Sequence, residues 1–359
     1  MKKRNQVIDV AKLIFCVGVL FNHTSVLGTG PDSLPLIMQY GFLGVEFFFI
    51  VSGFLMTKKA FSDDDLSIGK STLNFIKRKF CIIYPYFFAA WVIAFIVDIF
   101  VNSYDIKSIL SHLIKSVPFH LQLSMTGIPV YNIIGPTWYI SAMLICMLFM
   151  YPLIKKLKHT YICIFAPLLV LVSYGYLGEM VGHLATIEPL NGGFLHTGLL
   201  RGIAGMSLGT ISFGLSEYLS NINFSKKGKI ALTVLEIIAY LSVIIGMQSQ
   251  GIVRPDFIVV IFIVIAVTIS FSGLSLTQNL FKKDHPIIGQ LSLVLYLSDA
   301  PARVLTIHLF YDFNRMERII PAFVLTFVFG LIVLLMGNLL KKAFGLIKNR
   351  FNESFILHQ

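Results

Sequence analysis

The sequence predicts an all-α integral membrane protein of about ten transmembrane helices with both termini in the cytoplasm. Three observations carry that expectation. Hydrophobic residues make up 56% of the chain and charged residues 13%, with a mean hydropathy of +0.80, whereas a soluble domain carries about a quarter charged residues. Apolar windows near the length that crosses a bilayer recur from one end of the chain to the other. The net charge of +11 sits in short basic clusters between alternate apolar runs, a pattern that sets membrane orientation and argues against nucleic acid as a partner.

In chain order the expected spans are 7–27, 36–56, 80–101, 137–154, 161–177, 195–213, 230–247, 257–274, 287–307 and 319–340. With the N-terminus inside, the cytoplasmic segments hold the basic residues of Lys2 to Arg4, Lys58 to Lys79, Lys155 to Lys158, Lys226 to Lys229, Lys282 and Lys283, and Lys341 to Arg350. Only Lys107, Lys115, Arg254, Arg315 and Arg318 fall outside, so the positive-inside rule places both ends in the cytoplasm.

The chain reads as a single membrane domain, 1–345, with a short basic tail, 346–359, and no loop large enough to fold as an appended soluble domain. The first span follows Lys2, Lys3 and Arg4 as a leader would, but Asp9 and Lys12 interrupt it, so it is expected to be a retained helix. The longest loop, Asn102 to Pro136, faces outward and has room for one or two short helices between turns at Pro118, Pro129 and Pro136. In the inner loop, Ser62 to Asp65 (SDDD) caps a short helix or stays solvated. Cys16, Cys81, Cys146 and Cys163 lie in or beside apolar runs without metal-ligand spacing, so they are expected to pack, with no metal.

The stretch Arg4 to Ser25 organises the functional reading. It is apolar enough to span, yet carries Asp9, Lys12 and His23, and charge in hydrocarbon is costly. Lys12 and His23 are about three helical turns apart, so both leave nearly one face, roughly 16 Å apart along the axis. They would line one groove, with the cation nearer the cytoplasm. The competing readings are a Lys12 that snorkels to the headgroups and a His23 that only bonds a neighbouring helix.

Glu46 sits in the second span beside Phe47, Phe48 and Phe49, where an unpaired carboxylate is expensive, so it needs a partner. Lys12 and His23 are the natural candidates. Gly41, Gly44 and Gly53 suit close helix approach. Lys77, Arg78 and Lys79 stand where the chain re-enters from the cytoplasm, as interfacial anchors or as partners for the phosphates of an anionic ligand.

These stretches together resemble the acyltransferase-3 family of bacterial membrane O-acyltransferases. The family's first helix carries an Arg or Lys followed eleven residues later by His, matched by Lys12 and His23 with Asp9 ahead. The second-span stretch GFLGVEFFFIVSGFL is very close to the family's G-x-x-G-V-[DE]-x-F-F-x-[IV]-S-G-F, and it is the most specific match. FIKRKFCIIYPYF is similar to R-x-x-R-I-x-P-x-Y, but Lys79 and Ile82 occupy the two arginine positions, so Arg78 is expected to supply the missing charge. PTWYISAMLICMLFMYPLI and LLRGIAGMSLGT, the latter with Arg201, resemble two further family segments. IGQLSLVLYLSDAP resembles G-x-[IL]-S-x-x-[IL]-Y-L-x-H-x-P, with Asp299 where the family has His.

The resemblance implies transfer of an acyl group, usually acetyl from acetyl-CoA, to a hydroxyl of a carbohydrate or lipid-linked glycan at the bacterial cytoplasmic membrane. A sugar hydroxyl is a poor nucleophile and needs a base. His23 takes that role, either as base or as an acyl carrier, with Glu46 orienting it or pairing with Lys12. Lys12, Arg78, Lys79 and Arg201 would bind the CoA phosphates or the developing oxyanion, and Trp138 and Asp299 would contact the acceptor. Besides acyl-CoA and the glycan, membrane lipids are the expected partners. The remaining histidines fall in loops, tails or span ends, those in loops as solvated surface, with His196 and His308 as weaker acceptor contacts. The rival classes are a transporter or flippase for a lipid-linked saccharide or small anion, and a catalytically silent membrane scaffold.

Overall fold

A computed structural model gives the fold and describes residues 5–28, 37–63, 67–128, 130–135, 137–190, 195–249, 255–281 and 285–356, with side chains described except at 286 and 345–356. Lys2, Lys3, Arg4, Asp64, Asp65, Pro129, Pro136, Arg254, Lys282 and Lys283, named above, lie outside the described residues. The described residues form helices and no β-strand: α1 (Gln6–His23), α2 (Gly44–Phe61), α3 (Ile68–Asn102), α4 (Ile106–Lys115), α5 (Val117–His120), α6 (Trp138–Leu157), α7 (Ala166–Met180), α8 (Thr197–Ser220), α9 (Lys226–Gln248), α10 (Asp256–Ser272), α11 (Pro286–Leu309) and α12 (Arg315–Ile356). Each of the ten expected spans falls on one of these helices. Eight described segments are long and apolar enough to cross a membrane. The other two expected spans are α10, of 17 residues, and α11, which carries Asp299 and Arg303 inside its length. The helix of α12 runs unbroken through residue 345, where the sequence suggested a tail begins.

Local chemistry fixes the ends that matter. The Asn5 side chain accepts from the Ile8 amide at 3.2 Å and starts α1, satisfying one of the donors that a helix N-terminus leaves open. Ile8, Ala11, Phe15 and Val19 recur at helical spacing along α1 and are buried. The glycines of α2 and of the turn just before it let backbones touch, as expected: a β-carbon on Gly41 would meet the Gly18 carbonyl, on Gly44 the Phe15 carbonyl, and on Gly53 the Met206 carbonyl. Gly209 of α8 lies as close to the Ile50 carbonyl of α2, and Thr57 bonds Thr210 at 2.9 Å between the same two helices. The consequence is that α2 is clamped between α1 and α8 with little room for side chains, so polar groups on those faces meet directly.

On the other side, α3 packs against α11 and α12, with the Tyr86 hydroxyl donating to Asn338 at 2.8 Å. The segment after α3, expected to hold one or two short helices, holds α4 and α5 and is pinned to α6 by the Ser141 hydroxyl, which donates to the Gln122 carbonyl at 2.5 Å. That fold corrects one expectation. His120 is not solvated surface; it is ringed by Tyr84, Phe87, Phe88, Trp91 and Phe119, and burial pushes its imidazole pKa down. Among the cysteines, Cys16 and Cys146 are packed inside, whereas Cys81 and Cys163 are exposed on helix surfaces.

Candidate functional site

His23 is the last residue of α1, and its partner comes from the far end of the sequence. Nδ1 of His23 lies 2.7 Å from Oδ2 of Asp299 on α11. A carboxylate only accepts, so Nδ1 carries a proton, and in the neutral ring it is Nε2 that holds the lone pair. Asp299 is buried to 3%, and the Arg303 Nε donates to the same Oδ2 at 3.0 Å from one turn further along α11. The His23 side chain keeps 23% of its surface exposed. The result is a buried carboxylate that orients an accessible imidazole, the arrangement that lets histidine act as a base.

The face of α11 that holds Asp299 does not stop there. Gly289, Ser292, Tyr296, Asp299 and Arg303 recur every three or four residues, one stripe of the helix. The first three line a cavity of ≈ 220 Å³ shared with Lys12 of α1, Ser52 of α2, Lys79 of α3 and Tyr139 of α6. The Lys12 ammonium also donates to Asp9 at 3.3 Å. A second, larger cavity of ≈ 510 Å³ shares Leu55, Lys79 and Ile82 with the first and adds Lys59, Arg78 and Asp63. Lys12, Arg78 and Lys79, the cations singled out in the sequence, line these two adjoining spaces. Asp63 is tied there by hydrogen bonds from Ser71 and Tyr151, which hold its carboxyl below the usual carboxylate range against a small opposing effect of burial, with the Lys59 charge 3.8 Å away adding to them. Of the SDDD run, Ser62 and Asp63 are described: Ser62 is exposed at the C-cap of α2, its hydroxyl donating to the Lys59 carbonyl at 3.1 Å, whereas Asp63 is held by Ser71 and Tyr151.

Glu46 corrects the sequence reading. Its Oε1 accepts from the Arg201 Nε at 2.6 Å and its Oε2 from the Tyr174 hydroxyl at 2.7 Å. Both side chains of the ion pair are sealed, at 0% and 1% exposure. Glu46 therefore neither orients His23 nor pairs with Lys12, because the clamp of α2 onto α8 turns it toward Arg201. Arg201 is in turn unable to meet a CoA phosphate: it is spent on Glu46, reaches the Phe42 carbonyl at 3.4 Å and lies 5.0 Å from the Trp138 ring. Trp138, buried to 7%, packs on that guanidinium and on Phe49 and does not offer a free face for stacking a sugar. His196 is partly buried at the N-cap of α8, and His308 meets the Phe100 ring edge-on at 5.5 Å.

Sequence reasoning passed over Arg303, and it placed Asp299 with the acceptor. Two signals were available: the replacement of His by an acid within the stripe, and an arginine four residues later, the spacing at which opposite charges meet on a helix.

No curated protein and no solved structure matches the chain. A family model described as an acyltransferase domain matches residues 5–337, from the first residue described to within α12, and takes in both cavities and the His23–Asp299 pair. The chain belongs to the acyltransferase-3 family and is a multi-spanning membrane acyltransferase.

Proposed function

We propose that this acyltransferase moves an acyl group, acetyl from acetyl-CoA, to a hydroxyl of a carbohydrate or lipid-linked glycan, with His23 as the general base. The single observation that supports the reading most is the Asp299–His23 pair one helical turn beyond a cavity walled by Lys12 and Lys79. In this reading the chain crosses the bacterial cytoplasmic membrane ten times with both ends inside. Lys59, Arg78, Lys79 and Lys12 then face the cytoplasm and hold the phosphates of the incoming donor, as guanidinium and ammonium groups suit phosphate oxygens.

The chemistry needs one proton carrier and one orienting group. Nε2 of His23 takes the proton of the acceptor hydroxyl as its oxygen attacks the thioester carbonyl. The C–O bond forms, the C–S bond breaks, and the proton passes from the imidazole to the departing thiolate, giving the ester and free CoA. Asp299 holds the ring with Nδ1 as donor and stabilises the imidazolium between those two transfers. An acyl-His23 intermediate would use the same nitrogen, and trapping labelled protein in a single turnover without acceptor separates the two routes.

Inside-out membrane vesicles test the proposal with the native acceptors in place. Radiolabelled acetyl-CoA supplied to the cytoplasmic face should label the glycan fraction when the chain is present. His23→Ala at equal abundance should leave that fraction unlabelled. Labelling at the original rate with His23→Ala would overturn the proposal. Mass spectrometry of the labelled glycan then identifies the acceptor.

A further inference from the structure

The cavity and the reacting pair are separate spaces. Neither His23 nor Asp299 lines the cavity, so a thioester held by the lysines has to pass something to reach the imidazole. The stripe along α11 says what that is. Tyr296 lines the cavity, is buried to 5%, and stands one turn before Asp299, within electrostatic range of Asp299 and of Cys16. Tyr139 of α6 meets it edge-on, with ring centroids 6.2 Å apart.

The second ring is held firmly. The Tyr139 hydroxyl lies 3.2 Å from the Ser52 hydroxyl and contacts the Met143 sulfur at 3.5 Å. Its ring packs on Phe49 at 4.7 Å and on Phe48 at 6.0 Å. Close packing of this kind resists widening, since interiors yield little to added volume.

We infer that Tyr139 and Tyr296 form the constriction through which the acyl end of the donor reaches His23, and that they set a short-chain limit on the transferred group. The inference rests on the proposed transfer from acyl-CoA. It adds a selectivity that the cavity wall alone would not give. Below the two rings the wall is largely apolar, with Phe48, Val51, Leu55, Ile82, Ile83 and Leu293. Such a wall favours longer chains, by about fourfold for each added methylene that it buries. Preference for acetyl therefore has to arise where the chain is threaded, not where it is held.

Acyl-CoA chain length is the readout. Vesicles carrying the full chain are given acetyl-CoA or hexanoyl-CoA, each with the acyl group labelled, and kcat/KM is taken for each donor. The wild-type protein should prefer acetyl. Tyr296→Ala should raise the hexanoyl-to-acetyl ratio by about tenfold or more, the scale on which pocket shape discriminates between chains. Tyr139→Leu, which removes the ring and keeps an apolar side chain, should do the same and serves if the first variant does not fold. Tyr296→Phe keeps the ring and should keep the wild-type ratio. A fall in both rates with an unchanged ratio in both ring-removing variants would make the rings merely structural and overturn the inference. So would a wild-type protein that uses hexanoyl-CoA as well as acetyl-CoA. Absence of transfer from either donor by the wild-type protein would instead overturn the acyl-CoA reading itself, and the constriction with it.

Discussion

Two of the carboxylates buried in this protein, Glu46 and Asp299, each lie beside an arginine, and they differ in what their partners can do. Glu46 shares its two oxygens between Arg201 and Tyr174, and every member of that group is buried. Asp299 shares one oxygen between Arg303 and His23, and the histidine reaches out of the protein's interior. A saturated group has nothing left to offer a substrate; it joins α2, α7 and α8. A carboxylate whose partner has a second, accessible nitrogen can carry chemistry through that partner. The difference lies in the partner and its exposure, not in the acid.

Substitutions can break or sharpen that contrast. The largest effect is expected at His23: His23→Ala should lower acyl transfer by about a thousandfold or more, the upper range for a lost base, with the fold retained in detergent. Asp299→Ala should lower it by about a hundredfold, because the ring loses its orienting acceptor and its tautomer. Both are read as label entering glycan in inside-out vesicles at matched protein abundance. A transfer rate left intact by Asp299→Ala would put Asp299 in the same structural class as Glu46.

At Glu46 the order of loss should reverse. Glu46→Ala leaves a buried guanidinium without its partner, a change that costs about 3–5 kcal/mol, so it should show first as a lower thermal midpoint or a lower yield of folded protein. Material that survives should keep its preference among donors. If Glu46→Ala instead folds normally and loses transfer, the distinction between the two carboxylates fails.

Two smaller effects extend the comparison to Asp9 and Asp63. Lys12 is paired with Asp9 and lines the cavity. Lys12→Met should raise KM for acetyl-CoA by about tenfold, as expected for a lost charged hydrogen bond, with kcat much less affected. The smallest effect is at Asp63, whose carboxyl is held below the usual range by Ser71 and Tyr151. A depressed carboxylate contributes stability that is complete above the unfolded-state value near 3.9 and is lost as pH falls through the folded-state value. Asp63→Asn should therefore flatten the acid limb of a stability profile below about pH 4 while leaving the neutral plateau lower and level.

Much of the fold was legible because bilayers impose length and composition on helices: each apolar window became a helix, and the glycines at 41, 44 and 53 marked where backbones touch. Helical spacing alone suggested one groove for Lys12 and His23, whereas Lys12 lines the cavity and His23 does not. Partner choice was not legible. Glu46 belongs to Arg201, 155 residues on, and His23 to Asp299, 276 residues on, and no local pattern encodes which helix a buried acid will face. His120 was misread for a related reason, since a loop histidine looks solvated until the chain folds its aromatic neighbours from α3 around it. Arg303 was legible in principle, at the spacing that pairs opposite charges on a helix, but its meaning depends on Asp299 being the partner of His23.

A double-substitution cycle on the reacting pair tests the central claim most directly. Acyl transfer is measured for His23→Ala, Asp299→Asn and the two combined. If Asp299 acts through the imidazole, the combined variant falls to the residual rate of His23→Ala and no further, because groups that act as a unit are not additive. Losses that multiply, or an Asp299→Asn variant that works at the wild-type rate, would contradict the account.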